Sequence, residues 1–329
     1  MKDFYIDKDG FRLHARLDLP GEEASGESAG TGISAVSGSV ACGGKTACEE
    51  YAPASGSMAY DEYAAGVSRK DRVPLVIVVH GFTGHMEERH ILAVSKAARD
   101  ASMATLRVDM YGHGRSDGSF ERHTIMDWVL ELMYVVDYAK KLDFVSDIYL
   151  MGHSQGGLAL MLAAGLMADR ISGIIPLSPA ISIRDGARKG ELFGGTYDPD
   201  HIPDSLSIGS GRVISGDYIR IAKALPIEQA IDAYGGPVLI VHGTADESVP
   251  AVCSVRAAQR YRRAKFIPVE GDTHCYDRHL EQVTAAVREF LESMKAEEPR
   301  DKVLKHQEAT GAHALTMSTL SSLCSTCFE

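Results

Sequence analysis

Residues 147–165, DIYLMGHSQGGLALMLAAG, hold the most pointed chemistry of the chain. Within them lies Gly152-His153-Ser154-Gln155-Gly156, a G-x-S-x-G pattern. An apolar run precedes it, and a run rich in alanine and leucine follows it. Such a pattern sets a serine on a tight strand-to-helix corner, with its hydroxyl projecting clear of the backbone. The flanking glycines remove Cβ atoms that would clash there. The following helix turns its N-terminal N–H groups toward the site. Alone the pattern recurs by chance; the strand before it and the helix after it make it specific.

A serine hydroxyl is a weak nucleophile and needs a base to take its proton. The usual base is a histidine held in one tautomer by a carboxylate. Where a G-x-S-x-G corner is used, the chain order is serine, then acid, then histidine. The acid candidate is Asp246 in VLIVHGTADESVP, with Glu247 as its neighbour and rival. The base candidate is His274 in FIPVEGDTHCYDRHL, with His279 as competitor inside the next helical pattern. Both candidates follow a strand, where the order requires them. Attack on a carbonyl also creates an oxyanion, which needs preorganised donors. Gln155 N–H, just after the nucleophile, is one. Phe82 N–H, in His80-Gly81-Phe82-Thr83-Gly84, is the other. The Phe82 ring can also wall the pocket, and His85 either lines it or faces solvent.

These residues need a rigid frame, and the chain can supply one. It has 329 residues, 45% of them apolar and 24% charged. That is ordinary for a globular protein with a large core. The run VPLVIVV at 73–79 reads as a strand buried on both faces. Similar runs recur at 104–110, 147–152, 173–178, 237–243 and 265–270. Helical patterns fall at 87–100, 124–142, 155–169, 250–263 and 276–295, and Thr124 and Asp127 are the cap candidates of the second. This alternation predicts an α/β fold with a mostly parallel central sheet and helices on both faces. An N-terminal hairpin over 2–19 turns at Asp9-Gly10.

Three segments break the rhythm. Residues 21–72 are rich in Gly, Ser, Ala and Glu and read as a long flexible insertion in the core. Residues 179–236 read as an inserted cap over the C-terminal edge of the sheet, where ligands bind in open α/β sheets. The expected core is therefore 1–178 with 237–297, and 298–329 is expected to be a flexible tail.

The net charge of −11 disfavours nucleic acid and anionic membrane as partners. No apolar run reaches the length of a membrane span. The charged start, MKDFYIDKDG, lacks the apolar run of a signal peptide, so a cytoplasmic location is expected. Six scattered cysteines do not make a disulfide scaffold. The C-x-x-C of Cys324 and Cys327 lacks two more ligands at matched spacing, so no metal is expected. Gly43-Gly44-Lys45-Thr46 ends like a phosphate loop but lacks the strand and the earlier glycine. Gly112-His113-Gly114-Arg115-Ser116 reads as a structural turn, with Asp109 bonded into it.

Taken together, GHSQGG, HGFTGH, HGTADESVP and GDTHCYDRH resemble the α/β-hydrolase superfamily, and the cap segment resembles the bacterial cinnamoyl and feruloyl esterases. The resemblance spans roughly residues 1–20 and 73–295. It implies a serine carboxylesterase acting on hydroxycinnamate esters with no cofactor. It also implies a cap aspartate and tyrosine on the ring hydroxyl, which fall on Asp185 and Tyr218. The expected partner is a small-molecule ester, and the assembly considered is a homodimer. A general short-chain esterase, acylglycerol lipase or thioesterase would use the same triad. A non-hydrolytic binding protein of this fold is the alternative from another class.

Overall fold

The structure, a computed structural model, describes residues 2–8, 10–21 and 72–296. Met1, Asp9, the segment 22–71 and residues 297–329 lie outside the described residues. With them go the expectations for the insertion, the tail, Cys42, Cys48, Cys324 and Cys327, and the sequence at Gly43-Gly44-Lys45-Thr46.

The sheet begins with the antiparallel hairpin β1 (Lys2–Lys8) and β2 (Phe11–Asp18). Then follow β3 (Val73–Val79), β4 (Ala104–Val108), β5 (Val145–His153) and β6 (Gly173–Leu177). β11 (Val238–Gly243) and β12 (Ala264–Val269) complete it. The eight strands lie in the order β1-β2-β4-β3-β5-β6-β11-β12. β1, β2 and β4 pair antiparallel, and every later pair is parallel. β3 and β5 sit centrally, so their apolar residues are buried on both faces.

The helices of the core are α1 (Arg89–Asp100), α2 (Ile125–Ala139) and α3 (Gln155–Leu166), with α7 (Ala251–Arg260) and α8 (Leu280–Ala296). Thr124 caps α2 through a capping box with Asp127, as its sequence predicts. α2 and α3 cover one face of the sheet around Trp128, Leu132, Leu158 and Leu162. α1 and α8 cover the other around Ile91, Val94, Val287 and Leu291. α3 is apolar all round, and Gln155 through Gly165 are all buried. That fits a helix enclosed by other elements on every side.

The chain between β6 and β11 is better ordered than its glycines and polar residues suggest. It forms α4 (Ile183–Lys189), two small hairpins and two helices. The hairpins are β7 (Glu191–Leu192) with β8 (Gly195–Thr196), and β9 (Ser205–Ser207) with β10 (Val213–Ser215). The helices are α5 (Gly216–Ala224) and α6 (Ile227–Ala233). The β7–β8 turn takes positive φ at both central residues, Phe193 (50°) and Gly194 (82°). A two-residue hairpin of that kind usually carries Asn-Gly, and Phe-Gly gives no such signal. No helix among the described residues is long and apolar enough to cross a membrane.

Asp109 ties the N-terminal hairpin to the loop after β3 and the turn after β4. Its buried carboxylate accepts from Met86 N (2.8 Å) and Arg115 N (3.0 Å) and pairs with His14 Nδ1 (2.9 Å). Burial alone would raise its pKa, but these bonds outweigh burial and lower it. The turn around Gly112-His113-Gly114 is thus structural, as its sequence implies. Asp109→Ala leaves two buried N–H groups without acceptors and should cost about 3 kcal/mol of unfolding free energy. Urea denaturation measures this, and an unchanged midpoint would contradict it.

Candidate active site

The site is built from the turns that leave the central strands. β5 runs into Ser154, whose φ of 53° and ψ of −117° make it a strained, left-handed corner. Three backbone bonds hold it there. Ser154 N–H donates to Leu177 C=O (2.9 Å), while Leu158 N–H and Ala180 N–H both donate to Ser154 C=O (3.0 Å each). The glycine after it is required on steric grounds. A Cβ at Gly156 would run into the carbonyl oxygen of His80 on the neighbouring strand's turn. The corner can therefore form only because α3 starts flush against the chain after β3.

The residues expected from the sequence as acid and base, Asp246 and His274, lie on the turns after β11 and β12. His274 Nδ1 lies 2.6 Å from Asp246 Oδ2. The other carboxylate oxygen, Oδ1, accepts from Ser248 N and Val249 N at 2.8 Å each. His242 Nε2 stands 3.0 Å from Asp246 Oδ2. The Asp246 carboxylate is fully buried. Burial works to raise its pKa, but the bonds from His242 and His274 prevail and hold it well below the usual aspartate range. An ionised Asp246 fixes the proton of His274 on Nδ1 and leaves Nε2 to act as a base. The rivals stand elsewhere. Glu247 is exposed, and His279 faces Glu281 at 3.7 Å.

The loop after β3 carries Phe82. His80 braces this loop from inside, accepting from Met110 N at Nε2 (3.0 Å) and facing Gly81 O from Nδ1 (2.8 Å). Burial, with His113 nearby, pushes its pKa down to about 3, so the ring is a neutral strut. Gly84 N–H closes the turn onto Gly81 C=O (3.0 Å), which leaves the turn's own bond independent of Phe82 N–H. Gln155 N–H is the first donor of α3, a position that has no acceptor within its own helix.

Phe82 also meets the chain between β6 and β11. Its ring stacks on Phe193 with centroids 3.9 Å apart and 6° between planes. Phe120, His123 and Tyr218 surround the pair. Tyr218 is fully buried, and its hydroxyl donates to Gln155 Oε1 (2.7 Å). Asp185 sits in the first turn of α4 with an exposed carboxylate, 3.9 Å from Arg184 Nε. No hydrogen bond joins it to Tyr218. Of these two residues named from the sequence, Tyr218 is buried and Asp185 is exposed. His85 is exposed. Among the described residues no group of three His, Cys, Asp or Glu side chains is placed to hold a metal ion.

Two residues of the site escaped the sequence reading. His242 braces Asp246 from beneath, with its Nδ1 on Ser254 Oγ (2.7 Å). Its signal is its place at the end of β11, four residues before the acid. His153, beside the nucleophile, contacts the His274 loop through Nε2 (2.9 Å to His274 O).

Residues 70–196 match the family model described as serine aminopeptidase, S33, and residues 219–303 match that of a TAP-like protein. The chain is 45% identical to Est1E from Butyrivibrio proteoclasticus in a structure with ferulic acid bound. That likeness covers 89% of this chain and 99% of Est1E, with a TM-score of 0.73. The human mitochondrial palmitoyl-protein thioesterase ABHD10 is 22% identical over 199 residues, 58% of this chain. The chain spans 63% of that relative's length. Mouse ABHD10 has the same fold, with a TM-score of 0.61 at 16% identity.

Asp246 has a depressed pKa, so the stability it contributes is present above the unfolded value of 3.8 and is lost as pH falls below that toward the folded value. Asp246→Asn should flatten the acid limb of the stability profile in that window. It should also lower kcat on esters by about 10⁴-fold, since the amide favours the wrong imidazole tautomer. Acid unfolding and steady-state kinetics on the two proteins check both. An Asn variant with full turnover would contradict the assignment.

Proposed function

Because this chain belongs to the α/β-hydrolase family together with Est1E, we propose that it is a serine carboxylesterase acting on hydroxycinnamate esters. The hydrolytic reading is supported by Ser154 on its strained corner after β5, and by the His274–Asp246 pair on the turns that leave β12 and β11 of the same parallel sheet, with His274 C=O 2.9 Å from the ring of His153 beside the serine.

In this mechanism Ser154 Oγ attacks the ester carbonyl carbon while His274 Nε2 takes the hydroxyl proton. The carbonyl oxygen becomes an oxyanion, held by the N–H groups of Phe82 and Gln155. Removing one such donor typically costs 10²–10³-fold in kcat. The ester C–O bond then breaks, and His274 returns the proton to the departing alcohol. Water, deprotonated by His274, cleaves the acyl-enzyme by the reverse sequence and frees the acid and Ser154. Asp246 stays ionised throughout and stabilises the imidazolium. No cofactor takes part in these steps.

The hydroxycinnamoyl group is supported by ferulic acid in the Est1E structure and by the aromatic wall of Phe82, Phe193 and Phe120. In this reading Tyr218 serves the ring hydroxyl by exchanging Gln155 for the ligand, and Asp185 assists from α4. The ABHD10 match favours a thioesterase as the second reading, with the same triad on a sulfur leaving group.

The deciding experiment compares kcat/KM for methyl ferulate and p-nitrophenyl butyrate in wild type, Tyr218→Phe and Ser154→Ala. Wild type should prefer ferulate, and Ser154→Ala should lose both activities while keeping its fold. Tyr218→Phe should reduce ferulate turnover by about 10–100-fold more than butyrate turnover, the loss expected for one buried hydroxyl contact. A butyrate preference unchanged by Tyr218→Phe would move the protein to the general esterase reading. Equal losses on both esters would assign Tyr218 to bracing Gln155 instead.

A further inference from the structure

His153 is one residue from the proposed nucleophile, and its side chain is buried. It is 3% exposed at the end of β5, and its Nε2 lies 2.9 Å from the main-chain oxygen of His274. A carbonyl can only accept, so Nε2 carries the proton. The other nitrogen, Nδ1, has no hydrogen-bond partner and faces the loop after β3. A Cβ at Gly81 would come within 3.0 Å of it. The ring also packs against His274 at 4.6 Å and against His90 of α1 at 4.3 Å between centroids.

One imidazole thus touches the nucleophile's strand, the oxyanion loop and the loop of the base. The distance between Ser154 and His274 has two routes. One is the Ser154–His274 couple itself, which makes and breaks a bond in each turnover. The other runs from Ser154 through one peptide unit to the His153 ring, and from there to His274 C=O. We propose that His153 is a positioning residue for ester hydrolysis, whose Nε2–H tethers the main chain of the base to the strand of the nucleophile. This role rests on the Ser154–His274–Asp246 reading.

The surroundings keep the tether neutral. Burial, with His90 and His274 alongside, holds His153 well below the ordinary histidine range, and Asp246 only partly offsets this. Glu88 lies beyond His90, 3.9 Å from its Nε2, and Tyr276 flanks the ring at 6.1 Å. A neutral imidazole has one N–H, and the carbonyl claims it. The base loop has other supports: Arg89 Nη2 donates to Tyr276 O (3.0 Å), and Asp272 accepts from Thr273, Arg278 and His279 N–H groups. Loss of the His153 bond should therefore shift the base without unfolding its loop. A misplacement of about 1 Å costs about 10²-fold in rate.

The test uses His153→Phe, His153→Gln and His153→Asn in the full chain. The glutamine amide N–H reaches about as far from the backbone as Nε2, whereas the asparagine amide reaches only to Nδ1. Readouts are kcat and KM for p-nitrophenyl butyrate, and the rate of labelling by a fluorophosphonate, which needs the activated serine but no specific acyl pocket. His153→Phe should lower kcat and labelling by about 10–100-fold with KM within about twofold. His153→Gln should recover most of that loss and His153→Asn should not. Full kcat in His153→Phe, or equal losses in Gln and Asn variants, would overturn the proposal. If the Phe variant fails to fold, the Gln–Asn comparison decides alone. A wild-type protein that fluorophosphonate does not label at Ser154 would overturn the triad itself, and this role with it.

Discussion

The left-handed backbone of Ser154 is the constraint around which the molecule is arranged. A non-glycine residue at φ 53° and ψ −117° lies outside the favoured backbone regions, and such a conformation persists only where its surroundings over-determine it. Here Leu177 accepts from Ser154 N–H, and two donors hold Ser154 C=O. The bonds with Leu177 and Ala180 depend on β5 lying beside β6 in register, with Leu177 opposite His153, and the bond from Leu158 is the first turn of α3. The glycine at 156 lets α3 begin against the turn of His80. Burial of α3 on every side supplies the packing that holds the strain in place.

The positions of the other proposed catalytic groups follow from the same sheet. β3, β5, β6, β11 and β12 are parallel and end at one edge, so the turns after β3, β5, β11 and β12 meet there. Asp246 is held by two N–H groups of its own turn and by His242, and its buried charge orients His274. Two buried histidines near the site, His80 and His153, are kept neutral by desolvation and act as struts. His80 supports the loop after β3, and His153 links the end of β5 to the loop of His274. The chain between β6 and β11 joins this arrangement at two points, the Phe193–Phe82 stack and the Tyr218–Gln155 bond. Both contacts reach residues whose N–H groups are assigned to the oxyanion, so movement in that chain would be felt at the reacting carbonyl.

The parallel sheet and the places of Ser154, Asp246 and His274 were legible because they rest on local patterns. Buried β-branched runs, a glycine-flanked serine and turn residues after strands are all short-range signals. Helix ends were less legible: α2 stops at Ala139 rather than 142, where no glycine or proline marks the end. The hairpin at Phe193-Gly194 was invisible, because its left-handed phenylalanine is held by stacking on Phe82, a contact 111 residues away. His153 and His242 were hidden for the same reason, since a bracing histidine is defined by a partner on another loop. The hydrogen bond of Tyr218 to Gln155 was not legible either, because a buried hydroxyl's acceptor depends on packing that spacing does not encode.

The central claim is a covalent acyl-enzyme on Ser154. Rapid acid quench of the protein mixed with p-nitrophenyl ferulate, followed by intact mass spectrometry and peptide mapping, tests it directly. The account predicts one feruloyl group per chain, carried by the peptide of residues 147–165 and located on Ser154. Hydrolysis that proceeds with Ser154 unmodified through the first turnover, or with the group on another side chain, would contradict it.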